Sequence, residues 1–450
     1  MHISGGAGKA SIHQPNRQIW AIAGPAIIAN SSTPIVGLVD TWAIGHLPGA
    51  VHLAAVGVGA TVFSYVFWAF GFLRMGTTGL VAQANGRKDI DSIIRIVARS
   101  LVFGSFVAVC LIALQALLFR ASIAALAPPD TTVTLYATYF DIRIWSAPAI
   151  LIIYGITGYL IGVARAKAAL VLQLILNTAN VGLNLLFVLG LNMGVEGIAL
   201  GSLLAEWLAA ISGLTIIARH FGARRLATEF CTSAFWRLRG FFELAQTNGY
   251  IFVRTLLLMT ALSLVTREAG LISEQALAAS HVLNIFMLLI SLGLDGFAYA
   301  VEALAGAAYG KGAKREFAFW VSATSKWALF AALLYTIIFY VMGDTIIALL
   351  TNNADVRAAA ESALIAIIWL PFASVWCYQL DGIFIGATAT RAMMMTMAIS
   401  FIVFISIAGV LSVNWGLKGL WTAVVIFSAC RGITQIIYYP YILRKLNPKA

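Results

Sequence analysis

Residues 19–44 read IWAIAGPAIIANSSTPIVGLVDTWAI, an apolar run with a single carboxylate, Asp40, close to its far end. No lysine or arginine lies between Arg17 and Arg74. Such a run crosses the roughly 30 Å hydrocarbon core of a bilayer as a helix, which takes about 20 residues. The composition extends that reading to the whole chain: of 450 residues, 61% are hydrophobic and 10% charged, with a mean hydropathy of +0.91. A soluble domain carries about 25% charged residues. Membrane barrel strands would alternate over about ten residues. The runs here are longer and apolar on all sides, which predicts helices.

Twelve spans are predicted, at 19–44, 52–84, 92–119, 132–162, 168–190, 195–219, 241–266, 275–309, 317–343, 356–387, 392–413 and 417–443. Twenty Lys/Arg, from Lys9 and Arg17 to Arg444, Lys445 and Lys449, fall in segments on the N-terminal side of the membrane. Four (Arg120, Arg267, Arg357 and Lys418) fall on the other side. The positive-inside rule then puts both termini in the cytoplasm. Residues 1–18 are polar and lack a small-residue cleavage pattern, so the first helix is expected to be retained in the mature chain.

The two halves repeat. LAAV at 53–56 and Gly86 recur as LAAS at 277–280 and Gly310, and GYLIG at 158–162 recurs as GIFIG at 382–386, all at a shift of 224. NMGVEG at 192–197 recurs as NWGLKG at 414–419, a shift of 222. Six spans per half is an even number, so both copies enter the membrane in the same sense. The expected fold is therefore an all-α integral membrane protein of twelve transmembrane helices. They form two six-helix bundles related by a pseudo-twofold along the membrane normal. The domain reading is a cytoplasmic segment 1–18, a first lobe 19–219, a basic cytoplasmic linker 220–240, a second lobe 241–443 and a cytoplasmic tail 444–450. Two lobes facing each other across a cleft suit alternating-access transport.

The net charge of +11 does not imply a nucleic-acid partner, because the basic residues sit in short loops without a stripe of interleaved aromatics. Cys110, Cys231, Cys377 and Cys430 have no metal spacing and are read as packing residues. No metal site and no cofactor is expected.

Three motifs resemble the multidrug and toxic compound extrusion (MATE) family, in its DinF-like branch. They are GLVDTWAIGHL at 37–47, LDGFAYAVEALAGAAYG at 294–310 and WCYQLDGIFIGAT at 376–388, and the repeated halves match across nearly the whole chain. The resemblance implies export of bulky, often cationic amphipathic compounds, driven by inward flow of protons or sodium. It also implies that the first-span aspartate works with polar residues of the fifth and sixth spans, here Asn180, Asn184 and Ser202. Family members often carry a second acid where this chain has Asn184. A single carboxylate among amides suits a proton better than a sodium ion. Asp381 matches an acid that helps bind cations in a sodium-coupled branch, but Arg254 stands near the position of the acid expected beside it. An Arg254–Asp381 pair would neutralise the second lobe.

Ionisable residues at membrane depth cost on the order of 3 kcal/mol even on the lenient insertion scale, so each is a functional candidate. Asp40 comes 22 residues after Gln18, about 33 Å along a straight helix, and is expected in the outer half of the membrane. Pro25 and Pro34 interrupt its helix, each removing a backbone donor and inviting a bend. A carboxylate in an apolar cavity is easier to protonate than one in water, so a bendable helix carrying one can couple protonation to shape. Against this stands a snorkelling aspartate near the outer interface. Asn177, Asn180 and Asn184 share a helix face, where they also serve to hold helices together.

Asp295 and Glu302 share a face of the eighth span. Under the repeat shift Ala298 stands opposite Arg74, so Arg74 is expected to meet Asp295 across the axis and help close the cytoplasmic side. Glu206, Arg143 and Asp141 are further charges at or near membrane depth. The aromatics Phe63, Tyr65, Phe67, Trp68 and Phe70 are candidates for lining a drug path, or for packing.

A lipid-linked precursor flippase of the same superfamily is the competing transporter, and it would need a strongly basic cavity. Here Arg74, Arg143, Arg254, Lys326 and Arg431 are offset by acids. An enzyme is disfavoured, since neither H-E-x-x-H nor G-x-S-x-G occurs, and without a P-loop ATP is not the direct energy source. The expected partners are a small amphipathic substrate, a proton (or sodium) and the inner-membrane bilayer. Both bundles lie in one chain, so a monomer is expected to function.

Overall fold

In the computed structural model, residues 14–45 and 50–446 are described. Residues 1–13 of the N-terminal segment with Lys9, His46 and Leu47 of the first motif, and 447–450 with Lys449 lie outside them. Among the described residues there are helices and no strand. The first ten spans are Pro15–Gly45, Ala50–Gly86, Ile90–Ala113, Asp130–Gly162, Ala166–Gly190, Val195–Phe221, Leu238–Ile272, Glu274–Gly310, Lys314–Leu350 and Ala354–Gly386. Where the sequence predicts continuous helices, the structure interrupts several of them. The second span turns at 70–71, and the third ends at Ala113 before a separate short helix, Gln115–Leu126.

The last helix, Thr390–Lys445, counts 56 residues, about 84 Å if straight and far longer than one crossing. It is two spans joined at Gly416, whose φ of 56° and ψ of −140° lie in a region open only to glycine. That break falls between the predicted ends at 413 and 417 and completes twelve spans.

The repeat is written into the packing. A Cβ on Gly158 would lie 2.6 Å from the Arg74 carbonyl oxygen, and one on Gly382 would lie 2.7 Å from that of Ala298. The next pair repeats the pattern: Gly162 against the Thr78 carbonyl and Gly386 against the Glu302 carbonyl, both at 2.9 Å. Every member of one pair maps onto the other at the shift of 224 read from sequence. The second and fourth spans thus pack as the eighth and tenth do.

The lobes meet through the C-terminal half of the second span, Phe72–Gly86, which lies against the eighth and tenth spans. Here Gly86 faces the Ala307 carbonyl and Gly310 faces the Gln83 carbonyl, so closely that a Cβ on either glycine would overlap that oxygen. Residues 83 and 307, like 86 and 310, differ by the repeat shift, so the two contacts are the halves of one self-complementary interface. Gln83 completes it, its Nε2 donating to the Gly386 carbonyl at 3.0 Å and to Thr388 Oγ1 at 3.1 Å. By contrast, the half of the second span at Ala50–Ala69 scarcely reaches the other lobe.

Overpacking a tight contact costs typically about 1–3 kcal/mol. Gly310→Leu is therefore expected to open this seal, raising maleimide labelling of a cysteine at the buried Ala82 roughly tenfold in a background free of native cysteines. Unchanged labelling would show that the glycine contact does not hold the lobes together.

Outside the spans, Asp89 starts the third helix. It accepts from the Ser92 backbone N at 3.0 Å and from Ser92 Oγ at 2.6 Å, bonds that hold its carboxyl below the usual range.

The first span straddles the lobes. Its N-terminal half rests on the second lobe, with Trp20 edge-on to Phe297 at 5.5 Å and Ala23 and Ile27 against Gly296. Its C-terminal half lies against the fifth span, through Ser32 and Asp40. Pro25 and Pro34 are both inside this helix, which continues through them from Pro15 to Gly45.

Candidate functional site

The fifth span carries Gln173, Asn177, Asn180 and Asn184 at helical spacing, one row on one face. The row faces the first and sixth spans. Asn184 Nδ2 donates to Asp40 Oδ1 at 2.6 Å and to Asn180 Oδ1 at 2.9 Å, and Asn180 Nδ2 donates to Ser202 Oγ at 3.0 Å. Toward the N-terminal end of the row, Gln173 Nε2 donates to Asn177 Oδ1 at 3.0 Å and Asn177 Nδ2 to Ser32 Oγ at 2.7 Å. All three asparagines are buried, Asn184 completely. Gly201 makes room for it, since a Cβ there would collide with Asn184 Oδ1. That oxygen is buried and among the described residues accepts no hydrogen bond, an unmet acceptor one atom from the amide nitrogen that holds the carboxylate. Just past Asn184 the helix widens into a π turn, Leu186–Gly190, an irregularity frequent at functional sites.

Arg143 and Glu206 form a second buried group in this lobe. Arg143 Nη2 donates to Glu206 Oε1 at 2.6 Å, and a second contact between them makes the pair bidentate. The guanidinium lies over Phe67 and Phe63, 5.6 and 5.8 Å from the ring centroids. The second-span aromatics divide between the two readings given for them. Phe63 and Phe67 are buried in a packing cluster, and Phe70 stacks on Phe252. Tyr65 and Trp68 are exposed, and Trp68 lines the cleft between the lobes.

That cleft holds a cavity of about 390 Å³ to which both lobes contribute. Its charged lining is balanced: Arg74, Arg254 and Arg431 against Asp295, Glu302 and Asp381. Arg254 pairs with Asp381 Oδ2, Arg431 Nη2 donates to the same oxygen at 2.8 Å, and Gln435 Nε2 donates to Oδ1 at 2.6 Å. Both oxygens of Asp381 are thus committed. Tyr378, on the same span, shares a hydroxyl contact with Ser291.

The expected Arg74–Asp295 contact is not formed. Arg74 Nη1 instead reaches Glu302 Oε2 at 3.3 Å, and its guanidinium lies 4.4 Å from the centroid of Tyr299. The reason is a helical ambiguity: position 298 faces Arg74, and Asp295 and Glu302 flank it by one turn on either side. Glutamate's longer side chain reaches across and aspartate's does not. Among the described residues Asp295 takes part in no ion pair and faces the cavity.

Four contributors were not singled out in the sequence: Ser32, Gln173, Tyr299 and Gln435. Tyr299 shares the face of Asp295 and Glu302 by its spacing, and Gln173 extends the asparagine row by one turn. Ser32 and Gln435 leave no such trace, since lone polar residues in apolar helices are common.

Comparison with known proteins adds identity to geometry. The MatE family model matches residues 25–186 and 251–410, once in each half. DNA damage-inducible protein F of Escherichia coli K12 is 34% identical over 427 residues, covering 94% of this chain and 92% of that protein. A probable multidrug resistance protein NorM of Chromobacterium violaceum is 27% identical over 298 residues, 64% of this chain and 62% of that protein. The fold matches the outward-facing conformation of a multidrug resistance MATE family transporter with a TM-score of 0.83, covering 97% of both chains at 19% identity. The chain belongs to the MatE family of membrane transporters.

Proposed function

We propose, with membership of the MatE family as the premise, that this chain exports amphipathic, often cationic small molecules in exchange for inward protons by alternating access. The observation that carries the proposal is the buried amide ladder ending on Asp40. A sodium ion needs several oxygens converging on an empty point. Here Asp40 Oδ1 and Asn180 Oδ1 already accept from the two N–H groups of Asn184, so between those two oxygens a donor stands where a cation would sit. Asp381 is likewise engaged by two arginines and a glutamine. A proton on Asp40 needs no cage.

Protonation removes the charge that strengthens the Asn184 bond. The outer half of the first span is then held less tightly to the fifth. Its inner half rests on the eighth span beside the seal, so the change has a mechanical route to the closed end. The lobes 19–219 and 241–443 act as the moving bodies, joined by the linker 220–240. Both termini lie in the cytoplasm of an inner membrane, and the sealed end faces inward. In that orientation the structure is outward-facing.

The substrate class rests on the relatives' printed names and on the cavity, where Trp68 offers a face for cation–π contact and Asp295 an acid outside the ion pairs of the described residues. A flippase for pyrophosphate-bearing lipids is disfavoured by the balance of charge, and a sodium-coupled exporter by the occupied oxygens. One chain holds both lobes, so the monomer is the functional unit. Cells lacking their own efflux pumps and expressing the chain are expected to expel ethidium and to lose this on addition of an uncoupler. Retention equal to vector controls would refute the export reading. Orientation is checked separately with an impermeant maleimide, which should label Asn352→Cys from outside intact cells and Arg224→Cys only after lysis.

A further inference from the structure

The inner end of the second lobe encloses a second cavity, of about 530 Å³, separate from the central one. Its walls come from the seventh span, the end of the eighth, the turn 387–389 and both ends of the helix pair 390–445. Arg391 and Lys445 are its charged residues, and no acid lines it. Among the described residues neither cation takes part in a salt bridge; Lys445 lies over the Tyr441 ring at 4.9 Å.

The remaining polar lining is rich in hydroxyls. Tyr309, Tyr438 and Tyr441 make no hydrogen bond through theirs among the described residues, and Thr390 also opens into the pocket. A concave site with two cations, several free O–H donors and no carboxylate repels a cationic drug and matches a phosphate group.

The surroundings choose among phosphates. Met395 and Ile442 supply apolar wall. Above the pocket, Tyr441, Ile437 and Ile433 stand one turn apart on the twelfth span, 46%, 73% and 57% exposed, a continuous strip facing lipid. A molecule with a phosphate in the pocket and acyl chains along that strip satisfies both. The smaller pocket beside Arg87, Arg95 and Arg99 differs: Arg95 is paired with Glu229, Arg99 with the carbonyls of Ala234 and Phe235, and Glu243 lines it.

We propose that this cavity binds the headgroup of an anionic phospholipid, its phosphate held by Arg391, Lys445 and the tyrosine hydroxyls. The leaflet, cytoplasmic, rests on the orientation given above. Thr388, in the cavity wall, also accepts from Gln83, so the bound headgroup touches the same turn as the inner seal.

The test is native mass spectrometry of the full chain in neutral detergent, with phosphatidylglycerol and phosphatidylcholine of identical acyl chains. The wild type is expected to retain phosphatidylglycerol in preference. Contacts between basic residues and anionic headgroups each change affinity several-fold, so Arg391→Gln with Lys445→Gln should cut that preference roughly tenfold. Tyr438→Phe, which removes only a hydroxyl, should give a smaller loss in the same direction, and Arg444→Gln, outside the cavity, should give none. A double variant that keeps the preference overturns the site. Displacement of the lipid by equimolar inorganic phosphate overturns the lipid assignment in favour of a free anion. Binding is read at equilibrium on protein that need not transport or be oriented, so failure of the export reading leaves this outcome independent.

Discussion

Asp40→Asn is expected to reduce proton-driven export to the background of empty vesicles while leaving the fold intact. The substitution keeps the shape of the side chain, and its oxygen still accepts from Asn184 Nδ2, the 2.6 Å bond of the native site. What it removes is the group proposed to gain and lose the proton. The structural cost is the charge assistance of one hydrogen bond, a fraction of the roughly 1.5–3 kcal/mol such bonds are worth, so the melting temperature should move by only a few degrees. Asp40→Glu restores a titratable group in an altered place and should transport at an intermediate rate. Thermal melts and vesicle efflux on the same preparations separate the two effects. A variant that melts like the wild type and still exports under a pH gradient removes Asp40 from ion coupling.

The second large effect concerns stability. Asp381→Leu leaves Arg254, Arg431 and the Gln435 amide buried without their acceptor. Removing one partner from a buried charge pair costs roughly 3–5 kcal/mol, enough to lower the yield of folded protein sharply. The cost lies in the orphaned charges, and replacing a whole buried cluster by apolar residues is often neutral or stabilising. Asp381→Leu combined with Arg254→Met and Arg431→Met should therefore recover most of the lost stability. Because ion coupling is assigned to the first lobe, that triple variant is also expected to keep proton-driven export. A triple variant that folds but does not export would place part of the coupling in the second lobe.

Span positions were legible in the sequence because hydrophobic length and loop charge are strong signals. The boundary at 413–417 was legible too, although the helix there is nearly continuous, because NWGLKG repeats the NMGVEG turn. The repeat located the glycines that pack each lobe and form the seal, though nothing in one sequence says that Gly86 and Gly310 meet. The row of asparagines on the fifth span is a matter of spacing and was readable as a face. Its bond to Asp40 depends on how the first and fifth spans cross, which spacing does not encode. Rotation about a helix axis defeated the Arg74 pairing, since Asp295 and Glu302 are equivalent by periodicity and only side-chain length separates them. The second-span aromatics were left between drug path and packing for a related reason. All-apolar helices carry no polar face to show which side is packed, and Phe63 and Phe67 proved to be buried beneath Arg143.

The central claim is that a proton, received at Asp40, drives export. Its most direct test is efflux of a fluorescent organic cation from proteoliposomes in sodium-free buffer, with an imposed pH gradient as the sole driving force. Robust efflux that collapses when the gradient is dissipated, and that added sodium does not increase, is the expected result. Efflux that appears only when a sodium gradient is supplied would contradict the account and return the amide ladder to the role of a cation site.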